Sequence, residues 1–254
     1  MIVLDHVTKV YTRGGVRAAD DICLNIRHGE IFGFLGPNGA GKTTTIKMIT
    51  GILRPTSGRI LIDKLDLSKQ PEACKSRMGY VPDRHEMFER LTGAEYLRFI
   101  ADVYGVDGPT RKERCERYLE MFEIAGAAGA LIRSYSHGMK QKLLLTGALL
   151  HNPPLWILDE PMVGLDPKAA LRLKEEMRGH CEAGNTVFFS THVLEVAEKL
   201  CDRIGIIHGG RLAAVGTLDE LREQASGANE LHHGGATGGE SLEKLFFELT
   251  DKDD

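Results

Sequence analysis

The sequence contains no uninterrupted apolar run approaching the roughly 20 residues needed to cross a bilayer. Its greasiest stretches, Leu143–Leu145 with Ala148–Leu150 and Leu155–Leu158, are short and broken. Asp5 and His6 interrupt the apolar start Met1–Leu4, so no signal peptide is expected and the chain is expected in the cytosol. Charge of one sign is also lacking. A formal net charge of −4 over 254 residues argues against a nucleic-acid grip driven by bulk charge, and no nucleic-acid partner is expected. There is no Cys-x-x-Cys pair. The five cysteines, Cys23, Cys74, Cys115, Cys181 and Cys201, are scattered, which reads as reduced thiols filling the core rather than a disulfide frame or a metal site. No internal repeat is present.

What is there is the pattern of a large α/β chain with an insertion. Short β-branched or apolar runs at Ile2–Leu4, Ile22–Ile26, Glu30–Leu35 and Arg59–Ile62 are separated by turn residues such as Gly14-Gly15 and His28-Gly29, so the first third reads as strands. Gly41–Ile52 carries Ile46, Ile49 and Ile52 at helical spacing. The middle third predicts helices over Ala94–Tyr104, Arg111–Ile124 and Met139–Leu150, the last closed by Asn152-Pro153-Pro154. Leu155–Leu158 and Val187–Phe189 are continuous apolar runs, as expected of strands buried on both faces of a parallel sheet. Helices are expected around Pro167–Cys181 and Val193–Cys201, with a strand at Ile204–Ile207. This places an α/β domain over residues 1–223, with a helical insertion at about 84–152. The glycine-rich stretch Gln224–Gly239 reads as a flexible linker, followed by a short amphipathic helix at Leu242–Leu249. His232-His233 falls in that linker and reads as a solvated pair.

The chemistry concentrates at two places. Gly36-Pro37-Asn38-Gly39-Ala40-Gly41-Lys42-Thr43 fits G-x-x-x-x-G-K-[ST] between a predicted strand and a predicted helix, the context that the phosphate loop requires. Glycines there let backbone N–H groups face phosphate oxygens, and the helix start adds a favourable dipole. Lys42 supplies a point charge to the β- and γ-phosphates, Thr43 offers a hydroxyl to Mg²⁺, and Thr44 continues the nucleotide-binding stretch. The second place is the apolar run Leu155–Leu158 ending in Asp159-Glu160-Pro161. Adjacent carboxylates at the end of a buried strand are costly without a cation or a proton partner. Asp159 would support Mg²⁺, with Glu160 near the attacking water. The two motifs imply a nucleoside triphosphatase on a P-loop core. Asn-Lys-x-Asp, the guanine-specific string, is absent. A small-molecule kinase stays open at this point.

Three further segments carry a resemblance. Ser136-His137-Gly138-Met139-Lys140-Gln141 resembles the signature sequence of ATP-binding cassette proteins, Gly164-Leu165-Asp166-Pro167 their D-loop, and Ser190-Thr191-His192 their switch histidine. The motifs occur in the family's order over roughly residues 1 to 220. Tyr135–Met139, together with the tail Ser241–Phe246, is similar to the ATPase subunits of bacterial exporters of drugs, polysaccharides and similar cargo. The resemblance implies a P-loop core with an N-terminal antiparallel β subdomain and an inserted helical signature subdomain. It also implies Mg²⁺ as cofactor with ATP, and two cassettes (a second copy or a homologous chain) paired head to tail. Ser136 and Gly138 of one chain would then close over ATP held by the other. By the same resemblance His192 would bond the γ-phosphate, Tyr11 would stack on adenine, and integral membrane permease subunits would dock near Met87, Phe88, Leu91 and Phe99. That implies a peripheral place on the inner face of the cell membrane.

Two departures stand out. Asp83 occupies the position of a family glutamine and would either approach Mg²⁺ or the water differently or serve only as an interface residue, and His137 and Met139 replace the commoner glycine and glutamine of the signature. The alternative is a soluble cassette ATPase that remodels a protein or ribonucleoprotein complex. Relatives of that kind carry two cassettes or a long coiled coil, and neither occurs in this sequence. A kinase would leave the signature and Ser190-Thr191-His192 without a use.

Overall fold

The structure is a computed structural model, and it describes residues 1–12, 14–84, 87–229 and 246. The chain begins with β1 (Ile2–Val10), β2 (Arg17–Ile26), β3 (Ile31–Leu35) and α1 (Lys42–Ile49). It continues through β4 (Ser57–Ile62), β5 (Leu65–Asp66), α2 (Pro71–Lys75) and β6 (Met78–Val81). Helices α3 (Gly93–Val103), α4 (Gly108–Met121) and α5 (His137–Leu150) follow in succession. The remainder alternates: β7 (Leu155–Asp159), α6 (Pro167–Glu182), β8 (Thr186–Thr191), α7 (Leu194–Leu200), β9 (Arg203–His208), β10 (Arg211–Gly216) and α8 (Leu218–Asn229).

Two sheets result. One is antiparallel with strand order β2-β1-β4-β5, and the other is mixed with order β10-β9-β3-β8-β7-β6. In the mixed sheet β9, β3, β8, β7 and β6 run parallel, while β10 turns back antiparallel on the β9 edge. The central strands are buried on both sides, and their alternation decides what they pack against. Trp156 and Leu158 of β7, with Val187 and Phe189 of β8, join the core made by α3, α4 and α5. Leu155, Ile157 and Phe188 point the other way, into the core shared with α1 and the antiparallel sheet. The mixed sheet thus has the helical layer on one face and the β layer on the other.

Side-chain caps set several helix starts. Thr92 and Glu95 form a capping box at α3, and Asp107, Ser136 and Asp166 cap α4, α5 and α6 through their side chains. The helices and strands expected from periodicity are present with ends moved by a few residues. Strands β5, β6 and β10 and helices α2 and α8 escaped the sequence reading. β6 is four residues long, and β10 is rich in small residues, so neither makes a strong apolar run. The expected linker is corrected at its start: α8 continues to Asn229. The rest of that linker, His232-His233 and the Leu242–Leu249 helix lie outside the described residues. Phe246 alone of that helix is described; it is helical and packs against the cluster of Leu35, Ala197, Ile204, Ile206 and Leu221. Among the described residues no helix is long and apolar enough to cross a membrane.

Candidate nucleotide site

Strand register brings the two motifs together. In the parallel sheet Leu35 of β3 pairs with Thr191 of β8, and Ser190 of β8 pairs with Asp159 of β7. The loop after β3, the Asp159-Glu160 pair and His192 therefore leave the sheet along one edge, at the carboxyl ends of its strands, where open α/β sheets place their ligands. A cleft of about 500 Å³ lies there, lined among others by Pro37, Asn38, Gly39, Gly41, Lys42, Thr43, Thr44, Asp83, Glu160 and His192.

The loop is built by close packing. Gly41 precedes α1 with φ of 106°, and a Cβ there would lie 2.3 Å from the carbonyl oxygen of Ala18. Only glycine fits both the conformation and the approach. Gly36 and Ala40 sit at the back of the loop, buried, while Asn38 and Gly39 form its outer turn. Lys42 is only 6% exposed, and its Nζ donates to the carbonyl oxygens of Gly36 (2.6 Å) and Pro37 (3.2 Å). The same Nζ stands 3.4 Å from Glu160 Oε1.

Glu160 is held on three sides. Its backbone has φ of 51°, a left-handed conformation that costs a non-glycine residue about 1–3 kcal/mol and persists only where neighbours enforce it. Ser190 Oγ accepts from the Glu160 N–H at 2.9 Å, and His192 Nδ1 lies 3.0 Å from Glu160 Oε2. The carboxylate thus has one oxygen facing an ammonium and the other an imidazole, at the mouth of the cleft. This suits a group that receives a proton from, or orients, a water molecule.

Asp159 is fully buried. Ser190 Oγ donates to its Oδ1 at 2.6 Å, whereas Oδ2 is buried with no hydrogen-bond partner. Burial pushes the Asp159 carboxyl above its ordinary range, hydroxyls of Ser190 and Thr43 oppose that, and the charges of Asp83 and Glu160 add to it. A buried oxygen without a partner, near the hydroxyl of Thr43 and the carboxylates of Asp83 and Glu160, fits a hard divalent cation, and Asp159, Thr43 and Asp83 are the residues that could hold Mg²⁺.

The remaining expected residues lie apart. Tyr11 follows the end of β1, 38% exposed, outside the cleft lining, with its hydroxyl 3.4 Å from Thr44 Oγ1. Ser136 and Gly138 open α5 and do not line the cleft. Ser136 Oγ accepts from Met139 N–H at 3.3 Å, leaving an exposed hydroxyl at a helix N-terminus. A second cleft, lined by Asp83, Arg84, Tyr135, His137 and Lys140, adjoins Asp83, so this residue faces both clefts. Ser190, which bonds both Asp159 and the Glu160 N–H, is a residue to which sequence reasoning gave no role of its own. In the sequence it stands only as the first residue of Ser190-Thr191-His192, and its two partners depend on which strand lies beside it.

Known proteins resemble this chain in sequence and fold. Residues 19–163, more than half of the chain, match the family described as ABC transporter. The chain is 38% identical to the probable multidrug ABC transporter ATP-binding protein YbhF of Escherichia coli (strain K12) over 89% of its own length. It spans only 39% of the length of that relative. A solved ATP-binding subunit of an ABC transporter superimposes with a TM-score of 0.88 at 35% identity, covering 98% of this chain and 99% of that one. A solved dimer of the ATP-binding cassette MJ0796, in a post-hydrolysis state bound to ADP and Pi, superimposes with a TM-score of 0.79 at 27% identity over 86% of this chain and 99% of that one. The chain belongs to the ABC transporter family, as one of its ATPase cassettes.

Proposed function

We propose that the chain is the ATP-binding and ATP-hydrolysing motor subunit of a membrane exporter, acting through head-to-tail pairing of two cassettes. The observation that carries this reading is the convergence of Lys42 and His192 on the two oxygens of Glu160 at the edge of the phosphate-loop cleft. ATP seats its phosphates on residues 36–44, where the loop N–H groups and the α1 dipole meet them, and Lys42 exchanges its loop carbonyls for phosphate oxygens. Tyr11, beside Thr44, stacks on adenine. Thr43, Asp159 and Asp83 hold Mg²⁺, which when bound neutralises charge on the β- and γ-phosphates. Glu160 orients the water and takes up its proton, and His192 fixes the Glu160 carboxylate and meets the γ-phosphate.

Pairing supplies what one chain lacks. The exposed hydroxyl of Ser136 and the start of α5 make an anion site that faces outward from its own cleft. A second copy or a homologous cassette, turned head to tail, brings that site over the nucleotide. Permease subunits dock on the insertion. Phe88 and Phe99 are exposed there, edge to face at 5.7 Å, whereas Met87 and Leu91 are drawn onto the helical core. Such docking holds the chain at the inner face of the membrane. The YbhF relative is described as a multidrug transporter component, which supports export as the direction.

Glu160→Gln tests the reading. The variant is expected to bind Mg·ATP as the native chain does, to hydrolyse it at least about a hundredfold more slowly, and to accumulate as a pair in size-exclusion chromatography. Native turnover in that variant would remove Glu160 from the mechanism.

A further inference from the structure

On the solvent face of the antiparallel sheet, three residues far apart in sequence meet. His6 Nδ1 lies 2.8 Å from Asp21 Oδ1 and 3.5 Å from Cys23 Sγ. All three ligand atoms fall within 4.8 Å of one another, and among the described residues this is the one such group of histidine, cysteine and carboxylate donors. Cys23 is exposed, so the expectation that the cysteines fill the core does not hold for it. None of the three lines the nucleotide cleft.

Two irregularities in the β1–β2 ladder produce the cluster. Leu4 pairs with Leu24 and Val7 with Ile22, so Asp5 and His6 together face Cys23. Val7 pairs with Ile22 and Lys9 with Ala19, so Asp20 and Asp21 together face Thr8. His6 and Asp21 take up the extra residue with φ of 51° and 54°, and the Asp21 N–H donates to Thr8 Oγ1 at 3.0 Å. β-Bulges re-aim side chains in this way. On the far side of β1 the bulge is backed by Gly58, where a Cβ would lie 2.2 Å from the His6 carbonyl oxygen. The backbone that carries His6 is therefore fixed from both neighbouring strands.

We propose that His6, Asp21 and Cys23 form a binding site for one divalent transition-metal ion of the Zn²⁺ class, with water completing the coordination. The donor set selects the ion. One imidazole nitrogen, one thiolate and one carboxylate suit Zn²⁺, whereas Mg²⁺ and Ca²⁺ take oxygen donors. The spacing also suits it: bonds of about 2.0–2.3 Å in a tetrahedron put ligand atoms roughly 3.3–3.8 Å apart. The Cys23–His6 separation of 3.5 Å already lies in that range, and the His6–Asp21 separation of 2.8 Å must open by less than about 1 Å. Binding releases the Cys23 thiol proton and frees His6 Nδ1 of any proton it shares with Asp21, both going to solvent. The site clips β1 to β2 just ahead of Tyr11, so occupancy stiffens the hairpin that carries the aromatic ring.

The test uses the purified full-length chain, reduced, with excess Mg·ATP to occupy the nucleotide cleft. Co²⁺ is the spectroscopic probe and Zn²⁺ the competitor. Expected are one Co²⁺ per chain with a thiolate-to-cobalt charge-transfer band, loss of that band in Cys23→Ser, and its displacement by Zn²⁺. His6→Ala and Asp21→Ala each weaken Zn²⁺ binding by about tenfold or more. All three side chains are exposed, and because His6 and Asp21 hold left-handed backbone, His6→Asn and Asp21→Asn are measured beside the alanine variants. As a second readout, Zn²⁺ slows alkylation of Cys23, followed by peptide mass, in the native chain and fails to do so in His6→Ala. A Co²⁺ spectrum with no thiolate band, a band that survives Cys23→Ser, or equal Zn²⁺ protection in His6→Ala overturns the site.

Discussion

Gly138 packs against the backbone of Gly164: a Cβ on Gly138 would lie 2.6 Å from the Gly164 carbonyl oxygen. The signature residue of α5 is thus seated on the loop that follows Glu160 in the same chain. Gln141 Nε2 donates to the Pro161 carbonyl oxygen at 3.0 Å, and Lys142 forms an ion pair with Asp166. Position 138 is a packing position as well as a proposed nucleotide contact. Gly138→Ala is expected to destabilise the fold by about 1–3 kcal/mol through overlap. Gly126→Ala, where an added Cβ meets nothing within 4 Å, should cost far less. Urea denaturation of the two variants compares them, and equal midpoints would show that the loop yields without cost.

Ser190 holds Asp159 and Glu160 in one arrangement, donating to the first at 2.6 Å and accepting from the second at 2.9 Å. Ser190→Ala leaves a buried carboxylate oxygen and a backbone N–H without a partner. The expected cost is about 1–3 kcal/mol in stability, with a fall in kcat larger than any change in ATP affinity. Ser190→Thr keeps a hydroxyl and should recover part of both. If Ser190→Ala turns over at the native rate with native stability, the bridge has no mechanical role.

Two stacked histidines contribute to the pH dependence of stability. His180 lies against Trp156 at 3.8 Å and His151 against Tyr104 at 3.6 Å, and burial lowers each imidazole to about 4. A folded value below the unfolded one means that the unfolded chain binds more protons in the interval between them. The contribution of these two histidines is therefore full above pH ~6.5, falls as the pH drops towards about 4, and changes no further below that. For His180, which is 7% exposed, the fully expressed loss is on the order of 3 kcal/mol. His180→Phe should flatten the stability profile between those limits in urea titrations; an unchanged slope would assign the acid sensitivity elsewhere.

Much of this architecture is written locally. The run Leu155–Leu158 ending in Asp159-Glu160, and the glycines flanking Lys42, announce a buried parallel strand and a phosphate loop because each depends on residues adjacent in the chain. What stayed hidden depends on which strands are neighbours. Ser190 acquires two partners only because β8 lies beside β7, and Cys23 acquires two because bulges in β1 and β2 rotate His6 and Asp21 onto its face. Gly138 likewise reads as a nucleotide contact in sequence, while its steric constraint comes from Gly164 on another segment. β6 was missed for a related reason. Gly79 in it faces the Ala148 carbonyl oxygen, where a Cβ would come within 2.5 Å, so close approach of a helix rather than strand propensity sets its sequence.

Head-to-tail pairing makes a prediction that a self-contained site reverses. In a mixed pair, Lys42→Ala disables the phosphate loop of its own chain, and Ser136→Ala disables the closure that its chain supplies. If Ser136 serves the partner's nucleotide, placing the two substitutions on different chains damages a single site twice and leaves the other complete. Placing both on one chain then damages both sites. If Ser136 serves its own nucleotide, the outcomes exchange: both on one chain spares the partner, and one on each chain spares nothing. Two affinity tags isolate each mixed pair, and ATPase turnover of the two arrangements is compared directly. Ser136 and Gly138 stand outside the lining of their own cleft, so the split arrangement is expected to retain turnover and the single-chain arrangement to lose it.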